Sequence, residues 1–149
     1  MPVPLLGETR KGHVSLMTKE RWEQINGKIK LEKLDGEFCV SKVASEKDID
    51  FGAGFCFVGK TDEELSLVCP TASAPKNALK REDGWRAFRV KGVLDFSLVG
   101  ILAKISGVLA ENGIGIFALS TYNTDYILVR KEKFDSALKA LSDAGYEPV

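Results

Sequence analysis

From Leu98 the apolar residues fall at Ile101, Leu102, Ile105, Val108 and Leu109. That is the i, i+3, i+4, i+7 spacing of a helix with one buried face. Asp95 and Ser97 stand ahead of it as N-cap candidates, and Gly113 ends it where a left-handed residue is wanted. The period then shortens. Residues 114–119 and 126–129 are short apolar runs rich in strand formers, and residues 120–125 between them are dense in turn formers. Helical spacing returns over residues 132–144, with Phe134, Ala137, Leu138 and Leu141 on one face and Gly145 as the stop. Residues 85–90 read as a strand before the first helix, and residues 146–149 as a short strand after the second. The order from Trp85 is therefore strand, helix, strand, strand, helix, strand. This is a ferredoxin-like βαββαβ arrangement of the α+β class, an antiparallel sheet with helices on one face.

The first half gives a weaker version of the same order. Residues 29–34 and 38–43 are strand-like runs parted by Asp35-Gly36, a hairpin signal. Residues 45–50 suit one helical turn. Residues 55–58 read as a buried strand, 61–63 as a polar turn, and 65–69 as a strand stopped by Pro70. Residues 71–84 read as irregular or a short helix. At the start, Pro2, Pro4, Gly7 and Gly12 argue against regular structure, while residues 18–21 could open a short helix carrying Trp22 and Ile25. The expected organisation is an extension over residues 1–27, a degenerate unit over 28–84 with both helices shortened, and a full unit over 85–149.

Composition narrows the function classes. A chain of 149 residues can bury a real core. Lysine plus arginine number 21 and aspartate plus glutamate 21, so no net field attracts nucleic acid or an anionic membrane. No apolar run is long enough to span a bilayer, and residues 1–10 lack the pattern of a secretory signal. Cys39, Cys56 and Cys69 match neither a zinc nor a redox Cys-x-x-Cys spacing. They sit in apolar runs as small core hydrophobes, which suits a reducing cytoplasm. His13 is the single histidine, so a Ser-His-Asp set has no support elsewhere in the chain, and no phosphate-binding glycine loop is present. No cofactor or metal is expected. The carboxylates at Asp48, Asp50, Asp62, Glu63, Glu64, Glu82 and Asp83 read as solvated faces.

The helix, the glycine turn and the run Leu119-Ser120-Thr121-Tyr122-Asn123-Thr124-Asp125-Tyr126-Ile127-Leu128-Val129 carry a family likeness. This stretch resembles an ACT domain, the small-molecule-binding regulatory module of amino-acid metabolism. It is similar to tandem ACT proteins, among them small bacterial proteins and the animal cytosolic arginine sensors. The likeness runs from about Lys28 to Val149 and implies two ACT-type units side by side, the first degenerate. It further implies an amino-acid ligand held at an ACT–ACT interface, by the loop before the first helix and the strand after it. Those positions are Asp95, Phe96, Ser97, Leu98 and Val99, with Gly113, Ile114, Gly115 and Ile116. Hairpin residues Thr121, Thr124 and Asp125 are the candidates for holding a ligand amine. Many ACT domains place Asp-Arg-Pro-Gly-Leu-Leu before the helix and Gly-Ile-Asn-Ile after it, and this chain departs from both.

Each candidate has a plainer role beside the functional one. Asp95 or Ser97 can serve only to cap the helix, and Thr121, Asn123 and Thr124 only to build the turn. Asp125, beside an apolar run, needs a partner, and a ligand ammonium is one. The leading expectation is a non-catalytic, amino-acid-binding regulatory protein that works as a homodimer and biases a protein partner. The alternatives are an oligomerisation module with no ligand and a small enzyme on a ferredoxin-like scaffold.

Overall fold

The computed structural model describes residues 29–91 and 100–149 in full and the backbone alone of residues 5–8 and 14–17. In chain order the elements are β1 (Leu5–Glu8), β2 (Val14–Met17), β3 (Lys30–Lys33), β4 (Phe38–Lys42), β5 (Phe57–Lys60), β6 (Leu65–Pro70) and β7 (Lys80–Val90). Helix α1 (Ile101–Glu111), β8 (Phe117–Ser120), β9 (Asp125–Arg130), α2 (Phe134–Asp143) and β10 (Glu147–Pro148) follow. Single 3-10 turns occupy Glu46–Asp48, Thr71–Ser73 and Lys131–Lys133. The fold is the expected mixed α/β, ferredoxin-like type: an open, mostly antiparallel sheet with few helices, in which β10 runs parallel to β3.

Strand β7 organises the eight-stranded sheet. Its C-terminal half pairs with β9 along one edge and with β3 along the other. Its N-terminal half pairs with β4, and β6 and β5 follow outward. The expected hairpin at Asp35-Gly36 is not formed. Both β3 and β4 run antiparallel to β7 on the same edge, so they are two stretches of one advancing path. Asp35 and Gly36, the latter at φ +80, form an exposed jog between them. An eleven-residue strand offers enough length for both runs to find partners without turning back. Other boundaries also moved. Strand β7 begins at Lys80, inside the segment expected to be irregular, and crosses the expected 84/85 boundary without a break. Strand β5 starts at Phe57 and is half-buried, not buried over 55–58. Strand β8 starts at Phe117, leaving residues 114–116 outside it. At the N-terminus, β1 and β2 pair as an antiparallel hairpin where irregular backbone was expected. The short helix expected from residue 18 lies outside the described residues.

Two hairpins recur at one spacing. Hairpin β5–β6 and hairpin β8–β9 start sixty residues apart (57 against 117, and 65 against 125), and each is followed by a 3-10 turn at the same offset. In the second half α1 and α2 cover one sheet face. Their buried stripes, Ile101, Ile105 and Leu109 on α1 and Phe134, Ala137, Leu138 and Leu141 on α2, meet Phe88, Val90, Ile127 and Val129. These are the stripes that the helical spacing predicts. In the first half the same face is closed by loops and 3-10 turns over Val43, Ile49, Leu67 and Cys69. The opposite face carries a second cluster, Phe38, Val68, Trp85, Ala87, Leu119 and Leu128. Phe55 ties its two wings together, 5.1 Å from Phe38 and 5.3 Å from Tyr126 between ring centroids.

Candidate functional site

The β8–β9 hairpin sets the positions of three candidates. Thr121 N–H donates to the Thr124 carbonyl at 2.9 Å, and the Thr121 hydroxyl donates to the same oxygen at 3.1 Å. Thr124 N–H returns a bond to the Thr121 hydroxyl at 3.4 Å. The Thr124 hydroxyl is buried and donates to the Val90 carbonyl at 2.9 Å, tying the turn to the end of β7. Both threonines thus build the turn. The first half repeats the device: Thr61 N–H meets the Glu64 carbonyl at 2.9 Å, and Glu64 N–H donates to the Thr61 hydroxyl at 3.2 Å.

Asp125 differs. It lies opposite Ser120, whose hydroxyl donates to its Oδ1 at 2.7 Å. It shares strand parity with Ile127 and Val129, so its half-buried carboxylate stands on the helix-bearing face. It also stands at the end of the sheet where β7 leaves toward α1. Among the described residues that serine bond is the only hydrogen bond to the carboxylate.

Gly113, Ile114, Gly115 and Ile116 lie at the other end. Gly113 follows the C-terminus of α1 at φ +71, the left-handed conformation expected of it. Ile114 is buried in the helix-side core and Ile116 packs against it. Gly115 is exposed, and a Cβ built there meets nothing within 4 Å among the described residues. Five residues of extended chain separate Gly115 from Ser120, a span of ~16 Å. The eleven residues of α1 give about the same length. Gly115 is therefore beside the C-terminus of α1, away from the loop that precedes the helix. Helix α1 has Gly100 as its N-cap, at φ +93 and with no side-chain cap bond, in place of Asp95 or Ser97. Asp95, Phe96, Ser97, Leu98 and Val99 lie outside the described residues.

Two features escaped the sequence reading. Across β3, β7 and β9, on the face away from the helices, Glu32, Arg89 and Tyr126 form a row. Arg89 Nε donates to Glu32 Oε1 at 2.7 Å, and Nη1 to the Tyr126 hydroxyl at 3.3 Å. The Tyr126 and Glu32 oxygens hold that guanidinium more firmly charged than usual. The signal was the arginine in mid-strand, alternating with Phe88 and Val90. The second feature is a cleft of about 620 Å³ in the first half, lined by residues 42–47, 60–65 and Leu79 and spanned by the Lys60–Glu46 ion pair. It contains none of the expected site residues. Among the described residues, no group of His, Cys, Asp and Glu side chains is arranged to hold a metal, and no helix is long and apolar enough to cross a membrane.

The ACT-domain family model matches residues 80–143, which spans β7 to α2. A search of curated proteins gives no match. Among solved structures, protein Atu0741 of Agrobacterium tumefaciens is 32% identical, with a TM-score of 0.72, over 81% of this chain and 92% of that one. A Vibrio cholerae protein of unknown function is 24% identical, with a TM-score of 0.65, over 83% of this chain and 94% of that one. The aspartate kinase regulatory subunit of Thermus thermophilus, in a ligand-free form, shares the fold at 12% identity and a TM-score of 0.50, over 73% and 93% of the two chains. The chain therefore belongs to one family with the Agrobacterium tumefaciens protein, and its residues 80–143 are an ACT domain.

Proposed function

We propose that the protein is a non-catalytic regulatory module of the ACT type, built from two ACT-type units that share β7. The first is degenerate, with 3-10 turns in place of helices. In this reading it binds a free amino acid at an interface between ACT units of a homodimer, and so biases a protein partner. The ACT match over residues 80–143 supports the regulatory class. The observation that carries the interface is the separation of the candidate residues. Gly113–Ile116 and Thr121–Asp125 sit at opposite ends of one hairpin, ~16 Å apart, too far for one amino acid to touch both. Antiparallel pairing of β8 with the β8 of a second copy would bring the Gly115 end of one chain beside the Ser120–Asp125 end of the other. Strand β8 suits such pairing. Among the described residues it pairs only with β9, and Phe117-Ala118-Leu119-Ser120 contains no charge or proline to blunt its edge. The other outer strands are protected, β5 by Lys60 and β10 by Pro148 and its length of two residues.

The test is a thermal-shift screen across the amino acids, run beside light scattering on the parent and on Ala118→Lys. A ligand at a hundred times its Kd stabilises by about 2.7 kcal/mol. The expected result is a dimer with at least one stabilising amino acid, and loss of both properties in Ala118→Lys. A dimer that no amino acid stabilises supports the oligomerisation module instead. A monomer that still binds an amino acid removes the interface from the proposal.

A further inference from the structure

Cys39 on β4, Cys69 on β6 and Cys56, the residue just before β5, are far apart in sequence and fall in one row. Cys39 on β4 lies opposite Cys69 on β6. The β5–β6 ladder begins at Phe57 and Val68, and extending its register by one residue sets Cys56 opposite Cys69. All three thiols are free, Cys39 and Cys69 buried and Cys56 partly exposed. Cys56 packs against the cluster that contains Cys69.

The hydrogen-bond parity of the two ladders separates the pairs. In β4–β6, Val43 N–H donates to the Leu65 carbonyl at 2.9 Å, and Thr71 N–H to the Glu37 carbonyl at 3.0 Å. Those are hydrogen-bonded pairs, and stepping by two makes Cys39/Cys69 another, with Cα atoms about 5.5 Å apart. In β5–β6, the Thr61-to-Glu64 bond marks a hydrogen-bonded pair. Stepping by two reaches Phe57/Val68, so Cys56/Cys69 is a non-hydrogen-bonded pair. There the Cα atoms are about 4.5 Å apart and the side chains closest. That separation is within the range a disulfide spans. Cys39 and Cys69 are both enclosed, so of these two pairs only Cys56/Cys69 includes a thiol open to an oxidant in solution.

We propose that Cys56 and Cys69 form a reversible intrachain disulfide in the presence of a hydroperoxide, stapling edge strand β5 to β6. The partly exposed Cys56 thiolate attacks the terminal peroxide oxygen, the O–O bond breaks, and Cys56 becomes a sulfenic acid as the alcohol (water, from hydrogen peroxide) leaves with a proton. The Cys69 thiolate then displaces the hydroxyl from that sulfur, the S–S bond forms, and the hydroxyl leaves as water. Two S–H bonds are lost, both sulfurs are oxidised by one electron each, and one hydroperoxide is reduced to water and an alcohol, or to two waters if it is hydrogen peroxide. A thiol reductant reverses the step. Burial pushes both thiols up, with Asp50 adding to the effect on Cys56 and Cys56 adding to that on Cys69. Both thiols are therefore mainly protonated near neutral pH, and the rate of bond formation rises with pH. Residue 56 follows Phe55, the ring that bridges Phe38 and Tyr126. Closing the bond fixes that bridge between the two wings of the sheet.

The experiment treats the full chain with hydrogen peroxide in slight excess and maps peptides by mass spectrometry, with and without a reductant. The expected result is loss of two hydrogens, a Cys56–Cys69 cross-linked peptide, and a higher Tm that the reductant reverses. Cys39→Ala keeps the cross-link, and Cys56→Ser abolishes it while melting like the reduced parent. A Cys39–Cys69 or interchain link overturns the proposal, as does Cys56 oxidised to sulfinic acid with no cross-link. If Cys56→Ser does not fold, the mapping of Cys39→Ala and of the parent decides the matter.

Discussion

Gly113 holds φ +71 with open space where a Cβ would stand. Its replacement meets no clash, and the cost is purely the left-handed backbone. Gly113→Ala is expected to lower stability by about 1 kcal/mol in chemical denaturation, with or without ligand. Gly115 is exposed, has no positive φ and has equally open space. Gly115→Val is expected to change stability by less than about 0.5 kcal/mol. It should nevertheless abolish amino-acid binding, by blocking the approach of a second chain's hairpin. Unchanged affinity in calorimetry would remove Gly115 from the site. Asp125 offers a carboxylate that is only partly used by Ser120. Asp125→Ala should weaken a cationic amino acid more than a neutral one in side-by-side titrations. Equal weakening would make the carboxylate a hairpin brace only.

At the scale of elements, α2 shows how far periodicity reaches. Its four predicted inward residues are its four buried ones. Leu141 is fully buried among both helices and the sheet, so Leu141→Ala should cost about 2–5 kcal/mol by urea denaturation. The strands are less faithful to local pattern. Asp35-Gly36 has the composition of a two-residue hairpin, yet the flanking runs do not pair with each other. A turn signal states that the chain can reverse there. Whether it does depends on which partner strand offers more hydrogen bonds, and β7 offers them to both runs.

For the whole molecule, Tyr146 links fold to pH. It is 4% exposed beneath the helices, and its hydroxyl has no partner among the described residues. Burial pushes its pKa from 10 up to about 12. The folded chain thus keeps a proton that the unfolded chain releases. This contribution is whole below pH 10 and is lost as pH rises through 12, a change of about 2–3 kcal/mol. Cys39, pushed up to about 12 by burial and then by Asp83, acts in the same direction above its ordinary value of 9. Tyr146→Phe should flatten the decline between pH 10 and 12 and match or exceed the parent's stability at neutral pH. An unchanged alkaline slope in pH-dependent unfolding would show that the hydroxyl titrates in contact with water.

The sequence by itself determined the parts whose cause is local. The 3.6-residue spacing at Ile101, Ile105 and Leu109, and at Phe134, Ala137, Leu138 and Leu141, fixes which helix faces are buried. Gly113 and Gly145 end those helices because few other residues tolerate a positive φ. The order of elements from Trp85 onward, and with it the likeness to an ACT domain, follows from these. The tertiary structure decided what depends on partners distant in the chain. It made β3 and β4 one path along β7, because hydrogen-bond registry between strands is not written in either strand alone. It committed Thr124 to the Val90 carbonyl, a residue 34 positions away. It set Gly115 and Asp125 at opposite ends of one hairpin, since neighbours at a turn can be separated by the full length of the strands it joins. It set Cys39 and Cys56 on either side of Cys69, in pairs of opposite ladder parity, because that parity exists only once the sheet is assembled.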